Sequence, residues 1–207
     1  MSDLTTDVHQ HELIGGRLCL DFANTVGWHD SSEASRESLT SYEKLVNWSL
    51  QANILNKKQA LSLLKQAETQ PSSAKEVLEQ AIELRESLFR IFSSVLNNET
   101  PASKDLSMLN EAVGYAYGML RVVPGERQFS LEFMNGEDRL DEMLPPIVQS
   151  AVEILISEKE LNRVKKCEGA PCGWLFLDTS RNRSRRWCSM ADCGNRAKAK
   201  RFYHNKK

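Results

Sequence analysis

Four of the five cysteines lie in one short segment near the C-terminus, CEGAPCGWLFLDTSRNRSRRWCSMADCGNR. Four residues separate Cys167 from Cys172, fifteen more follow, and four again separate Cys188 from Cys193. Two thiol pairs of matched spacing suit a tetrahedral Zn²⁺ ion, because each short turn presents two sulfurs to the metal. Two pairs of buried free thiols are disfavoured, since both pairs lie in polar segments. The pattern predicts one structural zinc ion, because four thiolates leave no open coordination position for catalysis.

Basic residues crowd the same segment. Residues 161–207 contain 13 Lys+Arg and 3 Asp+Glu, a balance of +10, which leaves 14 against 25, or −11, for residues 1–160. Guanidinium groups bind phosphates in a bidentate manner, and a helix fits the major groove of DNA. The residues predicted to bind nucleic acid are Arg181, Arg183, Arg185, Arg186, Arg196, Lys198, Lys200 and Arg201. Docking of the basic segment on the acidic body is the alternative explanation of this charge split.

The elements that position these residues are predicted from apolar spacing and turn signals. The predicted helices begin near Thr40, near Lys57 and at Pro71, and cover residues 103–117 and 146–159. Thr40 and Glu43 fit a capping box, and Pro145 and Pro146 fit the first turn of the last helix. Alternation over residues 17–22 predicts a strand, in which Cys19 is a small buried hydrophobe. The segment MLRVVPGERQFSLEFMNGED predicts a β-hairpin.

Within the cysteine-rich segment, residues 174–178 are predicted to form a strand that pairs in antiparallel fashion with residues 185–188, and a helix is predicted to start at the last ligand. Trp174, Phe176 and Trp187 are expected to form a miniature core, with base stacking as the alternative. The fold class is therefore mainly α (α+β). A helical body with a few short antiparallel strands covers residues 1–162, and a treble-clef-like or ribbon-like zinc module covers residues 163–207.

A polar cluster surrounds the end of the predicted strand at residues 17–22. Its members, which could line a pocket for a small molecule, are Arg17, Asp21, Asn24, Thr25 and His29, with Arg85 as a further candidate. The alternative is a structural role, in which Arg85 forms a buried pair with Asp21. The body is thus a candidate sensor or dimerisation domain.

Nothing in the sequence favours catalysis. It lacks a Gly-rich phosphate loop, a nucleophile elbow and a His-Glu-x-x-His zinc signature, so we expect no enzyme activity. No apolar run approaches the about 20 residues of a membrane span, and no basic region followed by an apolar one marks the N-terminus for secretion. We therefore expect a cytoplasmic protein with no membrane partner.

The run CGWLFLDTSRNRSRRWCSMADCGNRAKAKRF resembles the CGNR zinc finger, named for the tetrapeptide at residues 193–196. The segments GRLCLDFANTV, LRESLFRIF and DRLDEMLPPIVQSAVEIL resemble the ABATE domain, which is described as a stress-induced transcription regulator and often precedes this finger. The resemblance implies a bacterial intracellular protein that binds DNA through the finger and regulates transcription. The chain departs from the family pattern at FYHNKK, where an arginine-rich finish is usual.

Two functional hypotheses follow. The first is a DNA-binding transcriptional regulator, whose zinc module binds double-stranded DNA and whose acidic body senses a small-molecule effector or forms a homodimer. The second is a protein-interaction or RNA-associated module that uses the same basic zinc finger. The +10 balance beside the metal site favours the first, because cationic surfaces of this kind bind phosphate backbones.

Overall fold

A computed structural model describes residues 13–27, 36–134 and 139–204. Its helices are α1 (Leu18–Ala23), α2 (Tyr42–Gln51), α3 (Lys57–Thr69), α4 (Pro71–Leu96), α5 (Ser103–Gly118), α6 (Leu144–Leu155), α7 (Glu158–Leu161) and α8 (Asn195–His204). Its strands are β1 (Val26–Gly27), β2 (Arg36–Glu37), β3 (Leu120–Pro124), β4 (Phe129–Phe133), β5 (Val164–Lys166) and β6 (Leu175–Leu177). They form three two-stranded antiparallel sheets, β1–β2, β3–β4 and β5–β6. The predicted mainly helical fold is confirmed.

The long helix α4 is the centre of the body. It packs against α1, α2, α3 and α5, and its inward face buries Leu84, Leu88, Ile91 and Phe92. These positions repeat with the helical period, so the hydrophobic effect holds α4 in one orientation. Pro71 occupies its first turn, where the missing N–H costs no hydrogen bond.

The segment predicted as a strand at residues 17–22 is instead the helix α1. Arg17 has an extended backbone and caps a six-residue helix that buries Cys19, Leu20, Phe22 and Ala23. Because the body covers α1 on most sides, the apolar residues of α1 stand on both sides of Asp21 and do not form a stripe with the helical period. Periodicity cannot distinguish such a buried helix from a buried strand, which explains the wrong prediction. The burial predicted for Cys19 is confirmed.

Two helix boundaries differ from their predictions. Ser41, not Thr40, caps α2, with its Oγ accepting a hydrogen bond from the backbone N–H of Lys44 at 3.2 Å. The last predicted helix of the body ends at Leu155 instead of residue 159, and the short helix α7 follows a break at Ile156 and Ser157. Side chains of similar type stand next to each boundary, so the sequence leaves the boundary ambiguous by a few residues.

The predicted hairpin is present as β3–β4. Val122 pairs with Leu131, and a tight turn closes the end with a hydrogen bond from Gly125 N–H to the Gln128 carbonyl at 2.9 Å. Within the described residues, no helix combines the length and the apolar character that a membrane crossing requires.

The C-terminal module begins with the β5–β6 hairpin. Residues 185–188, predicted to pair with the strand at residues 174–178, do not form its partner; β5 pairs with β6 instead, with Val164 opposite Leu177. The reason is that the first cysteine pair lies in the connection between β5 and β6, so the chain turns there and returns alongside itself. Residues 185–188 run beside the metal-binding loop, where Glu168 N–H donates to the Arg186 carbonyl at 3.0 Å. The helix predicted at the last ligand is confirmed as α8.

The apolar core continues from the body into this module. Val164, Leu175 and Leu177 are buried in the same cluster as the helices of the body, while Phe176 points the other way and packs among the four cysteines. The division at residue 163 stays a prediction. In the packing of the structure, β5 and β6 complete the core of the body through Val164, Leu175 and Leu177.

Candidate metal centre and nucleic-acid interface

The four predicted ligands converge on one point. All four are buried, and their sulfur atoms lie within 4.8 Å of one another. The Sγ atom of Cys188 is 3.6 Å from that of Cys172 and 3.6 Å from that of Cys193. A tetrahedral zinc ion with Zn–S bonds of about 2.3 Å requires sulfurs about 3.8 Å apart. The four thiolates therefore fit one structural zinc ion, as the spacing of the cysteines predicts.

The first pair of ligands lies in a turn shaped for close packing. The backbone N–H groups of Gly169 and Cys188 donate to the Cys167 sulfur at 3.4 and 3.3 Å. A Cβ atom on Gly169 would lie 2.7 Å from the Cβ of Cys193, so no side chain fits there. Hydrogen bonds from the Cys172 and Cys188 thiols and from these two amides hold the pKa of the Cys167 thiol below its ordinary value. The same hydrogen bonds raise the pKa of the Cys172 and Cys188 thiols, so the lowering at Cys167 reflects the sharing of protons among neighbouring thiols.

Around the second pair of ligands, Cys188 and Cys193, each residue of the tetrapeptide at 193–196 has a structural role. Cys193 is a ligand, and Gly194 N–H closes the preceding π-helical turn by donating to the Ser189 carbonyl at 2.9 Å. Asn195 donates from Nδ2 to the Ala191 carbonyl at 2.9 Å, which joins that turn to α8. Arg196 donates from Nη2 to the Cys193 sulfur at 3.0 Å. Donors of this kind orient a metal ligand and stabilise its negative charge, so Arg196 serves the zinc site.

The loop that carries Arg181 and Arg183 is clamped by a buried carboxylate, which sequence reasoning missed. Asp178 is fully buried and accepts hydrogen bonds from Ser180 Oγ at 2.6 Å, Arg185 N–H at 3.0 Å and Lys165 Nζ at 2.7 Å. Burial would raise the pKa of Asp178, but the hydrogen bonds from Lys165, Ser180 and Arg185 outweigh it and hold the pKa well below the ordinary value. Lys165 also donates to the carbonyl of Arg183. The loop is therefore anchored at both ends.

Arg185 points into the module. Its guanidinium group lies 4.3 Å from the centre of the Phe176 ring and donates from Nε to the Trp187 carbonyl at 3.1 Å. Its Nη2 donates to the carbonyls of Cys188 and Ile14, the latter at 3.3 Å. Three hydrogen bonds and the contact with the Phe176 ring thus join Arg185 to the core, the second cysteine turn and the N-terminal segment. Binding of Arg185 to nucleic acid stays a prediction, and all the contacts of its side chain described above are internal.

The remaining predicted cations are exposed. Arg186 forms an ion pair with Glu168, 2.5 Å from Nη2 to Oε2, and its guanidinium lies 5.3 Å from the centre of the Trp187 ring. Of the eight predicted cations, those with exposed side chains and neither an ion pair nor a side-chain hydrogen bond among the described residues are Arg181, Arg183, Lys198, Lys200 and Arg201. We call these five residues the basic surface. They come from two structural elements, the anchored loop and α8.

The acidic residues of the module do not neutralise the basic surface. Asp178 is buried with Lys165, Glu168 pairs with Arg186, and Asp192 accepts a hydrogen bond from Ser189 Oγ at 3.0 Å. Across the described part of the chain, no carboxylate of the body forms an ion pair with the loop or with α8. The charge of the basic surface therefore faces solvent.

The body holds the zinc module through a main-chain junction. Asn24 binds Leu175 as a strand would, donating from Nδ2 to its carbonyl and accepting from its N–H, each at 2.8 Å. Leu177 N–H donates to the Gly15 carbonyl at 2.7 Å, and Trp174 Nε1 donates to the Val26 carbonyl at 2.9 Å. Asn24 is 5% exposed, so its two bonds are shielded from water.

The residues predicted to line a ligand pocket divide into two groups. Arg17 and Asp21 line an open cleft of about 430 Å³, where Arg17 pairs with Glu160 and Asp21 accepts a hydrogen bond from Gly15 N–H at 2.7 Å. Asn24 belongs to the junction described above. Burial raises the pKa of Asp21 to about 6, against the opposing effect of the Gly15 hydrogen bond. His29 lies outside the described residues.

The other two candidates have internal partners. Arg85 is 2% exposed and forms a bidentate pair with Glu37 at 2.7 and 2.6 Å. The alternative in which Arg85 forms a buried pair with Asp21 is therefore wrong. Arg85 also donates to Glu86 at 2.8 Å and to Thr25 Oγ1 at 3.4 Å. This pair ties α4 to β2, because Arg85 lies on the helix and Glu37 on the strand.

A groove with an apolar floor lies elsewhere in the body. It measures about 440 Å³, opens between α4, α5 and the start of α6, and has Leu84, Ala116, Leu144 and Val148 in its lining. Tyr115 stands at its rim and donates from its hydroxyl group to Asp141 at 2.5 Å. Among the described residues, none of those predicted to bind a ligand or nucleic acid lines this groove.

Comparison with protein families agrees with the two parts of the chain. Residues 16–158 match the ABATE family, described as "Putative stress-induced transcription regulator", and residues 163–206 match the CGNR zinc finger. A comparison with curated proteins finds no match. Since the first match covers more than half of the chain and the second contains all four ligands, the chain belongs to the ABATE family and carries a C-terminal CGNR zinc finger.

Proposed function

We propose that the chain is a transcriptional regulator that binds double-stranded DNA through the basic surface of its zinc module. The observation that carries this proposal is the set of five exposed cations, Arg181, Arg183, Lys198, Lys200 and Arg201, on a metal-rigidified scaffold. Cations held in fixed positions bind phosphates at a low entropic cost, because the loop and helix are already ordered. The description of the ABATE family as a transcription regulator supports the same role.

The alternative explanation of the charge split loses support from the geometry. If the basic segment served to dock on the acidic body, ion pairs would join the two. The junction consists instead of main-chain and amide hydrogen bonds and of apolar packing, and the basic surface has no acidic partner among the described residues. A polyanion outside the chain is the better partner.

The body supplies regulation in this proposal. The groove between α4, α5 and α6 has a volume within the range of small-molecule sites and an apolar lining, so it is the place where an effector would bind. The protein acts in the cytoplasm by binding and not by catalysis. Signals reach the zinc module through the junction formed by Asn24 and Trp174.

The experiment that tests the proposal is fluorescence anisotropy of the zinc-loaded protein with labelled duplex DNA, single-stranded DNA and structured RNA over a salt series. The double variant Arg181→Ala with Arg183→Ala should weaken duplex binding and reduce the salt slope by about 2, since each phosphate contact contributes about 0.9. The matched control is Lys58→Ala with Lys65→Ala, which removes two exposed cations from α3.

Equal losses for the two double variants would contradict the assigned surface, because they would show a dependence on net charge alone. Preferential binding to structured RNA would favour an RNA-associated function. Absence of binding to all three nucleic acids at low salt would favour a protein partner for the basic surface.

A further inference from the structure

The β3–β4 hairpin has one face made entirely of apolar residues. Cross-strand partners in an antiparallel pair share a face, and the register places Leu120 opposite Phe133, Val122 opposite Leu131, and Pro124 opposite Phe129. The opposite face is mixed, with Arg121 opposite Glu132 and Val123 opposite Ser130. We call the six-residue side the hairpin face.

Only the base of the hairpin face is covered by the body. Phe133 packs against the core at the end of the hairpin nearest α5. Further along, Val122 is 68% exposed, Leu131 58% and Phe129 72%. Soluble proteins rarely expose three neighbouring large apolar side chains, and such patches mark interaction sites.

We propose that the hairpin face is a homodimer interface, in which the faces of two copies pack against each other across a two-fold axis. An apolar face with no charge on it is complementary to another copy of itself, as an isologous contact requires. It offers no cation to a nucleic acid.

The charges at the edges of the hairpin also fit a second copy. Between residues 119 and 134 the charged residues are Arg121, Glu126, Arg127 and Glu132, so this segment has a net charge of zero although residues 1–160 carry −11. Two copies therefore meet here without the repulsion that the rest of the body would impose. Equal numbers of arginine and glutamate allow each copy to pair its own charges with the opposite charges of the other.

The area indicates a dimer of modest affinity. The exposed side chains of the hairpin face amount to roughly 400 Å² per copy, comparable to the largest apolar patches of monomeric proteins. Two copies would bury about 800 Å² through these side chains, and the adjoining backbone and charged residues would add to the about 1,200 Å² of a small specific interface. We expect dissociation in the micromolar range of protein concentration.

Sedimentation equilibrium of the full zinc-loaded chain, without nucleic acid, tests the proposal independently of DNA binding. The mass should rise from monomer to dimer between low and high micromolar concentrations. Leu131→Lys and Phe129→Lys should each weaken dimerisation at least tenfold, because each buries a charge at the centre of the interface. Two control variants carry the same new charge: Ser130→Lys on the opposite face of β4, and Ile156→Lys on the 79% exposed C-cap of α6.

Dimerisation that survives in both controls and fails in both face variants would support the proposal. A wild-type protein that stays monomeric throughout would overturn it. So would face variants that dimerise as tightly as the controls. Circular dichroism and zinc content identify any variant that loses its fold, and the two face variants provide independent tests.

Discussion

The hydrogen bonds between Asn24 and Leu175 give a sharp test of how the body and the zinc module are joined. In Asn24→Ala the backbone N–H and carbonyl of Leu175 lose their partners while both residues remain in a buried region, at 5% and 0% exposure. Each buried polar group left unpaired costs about 1–3 kcal/mol, so the variant should lose about 2–5 kcal/mol of unfolding free energy. A domain of this size has about 5–15 kcal/mol in total.

The assay is urea denaturation of the zinc-loaded protein followed by far-UV circular dichroism. Because Leu175 lies in the core shared by both parts, a single transition should shift to lower urea. The matched control is Asn110→Ala, an exposed asparagine on α5, which should change stability by less than about 0.5 kcal/mol.

Two results would refute this reasoning. A loss in Asn24→Ala no larger than that in the control would show that the two bonds do not stabilise the junction. Two separate transitions, with the loss confined to the smaller one, would show that the zinc module and the body fold independently.

Three further predictions concern the metal and the half-buried acid Asp21. Removal of zinc by a chelator should lower the melting temperature of the helical body as well as unfold the module, because β5 and β6 complete the shared core, and calorimetry measures this. Asp21 has a folded-state pKa of about 6, above the 3.8 of the unfolded chain, so its stabilising effect is complete below pH 3.8 and is lost as the pH rises through 6. Asp21→Asn should therefore remove a pH dependence of up to about 3 kcal/mol between pH 4 and 7, and an unchanged pH profile in urea denaturation would contradict this. Gly169→Ala should weaken zinc binding at least tenfold in a chelator competition, because the new Cβ would lie 2.7 Å from that of Cys193. The control is Gly114→Ala, which has open space around it. This control should bind zinc normally, and its unfolding free energy should rise by about 0.5–1 kcal/mol.

The metal ligands and the main helices could be predicted from the sequence because each depends on local spacing. Two short turns fix the cysteine pairs, and the apolar period fixes α4. The prediction failed at α1, where burial on nearly all sides removes the period, and at the partner of β6. That pairing depends on where the metal turns the chain, which spacing alone does not show.

The directions in which the arginine side chains point could not be predicted from the sequence either. Arg185, Arg186 and Arg196 have the same residue type as their neighbours Arg181 and Arg183, yet the first contacts Phe176 and backbone carbonyls, the second Glu168, and the third a cysteine sulfur. Asp178 is an informative exception. A lone acid between an apolar strand and a basic loop is a signal that a buried clamp is present, and it could have been used.

The core that runs from the helices into β5 and β6 also bears on how such a chain can evolve. The two family matches meet between residues 158 and 163, so by sequence the finger is a separable cassette. By packing it is not, since Val164, Leu175 and Leu177 lie in the core of the body. A gene rearrangement that transferred residues 163–206 to another protein would expose these side chains and leave a cavity behind. Selection would therefore keep the ABATE domain and this finger together, and it would retain Asn24 whichever apolar side chain stands at position 175, because Asn24 binds only the backbone of that residue.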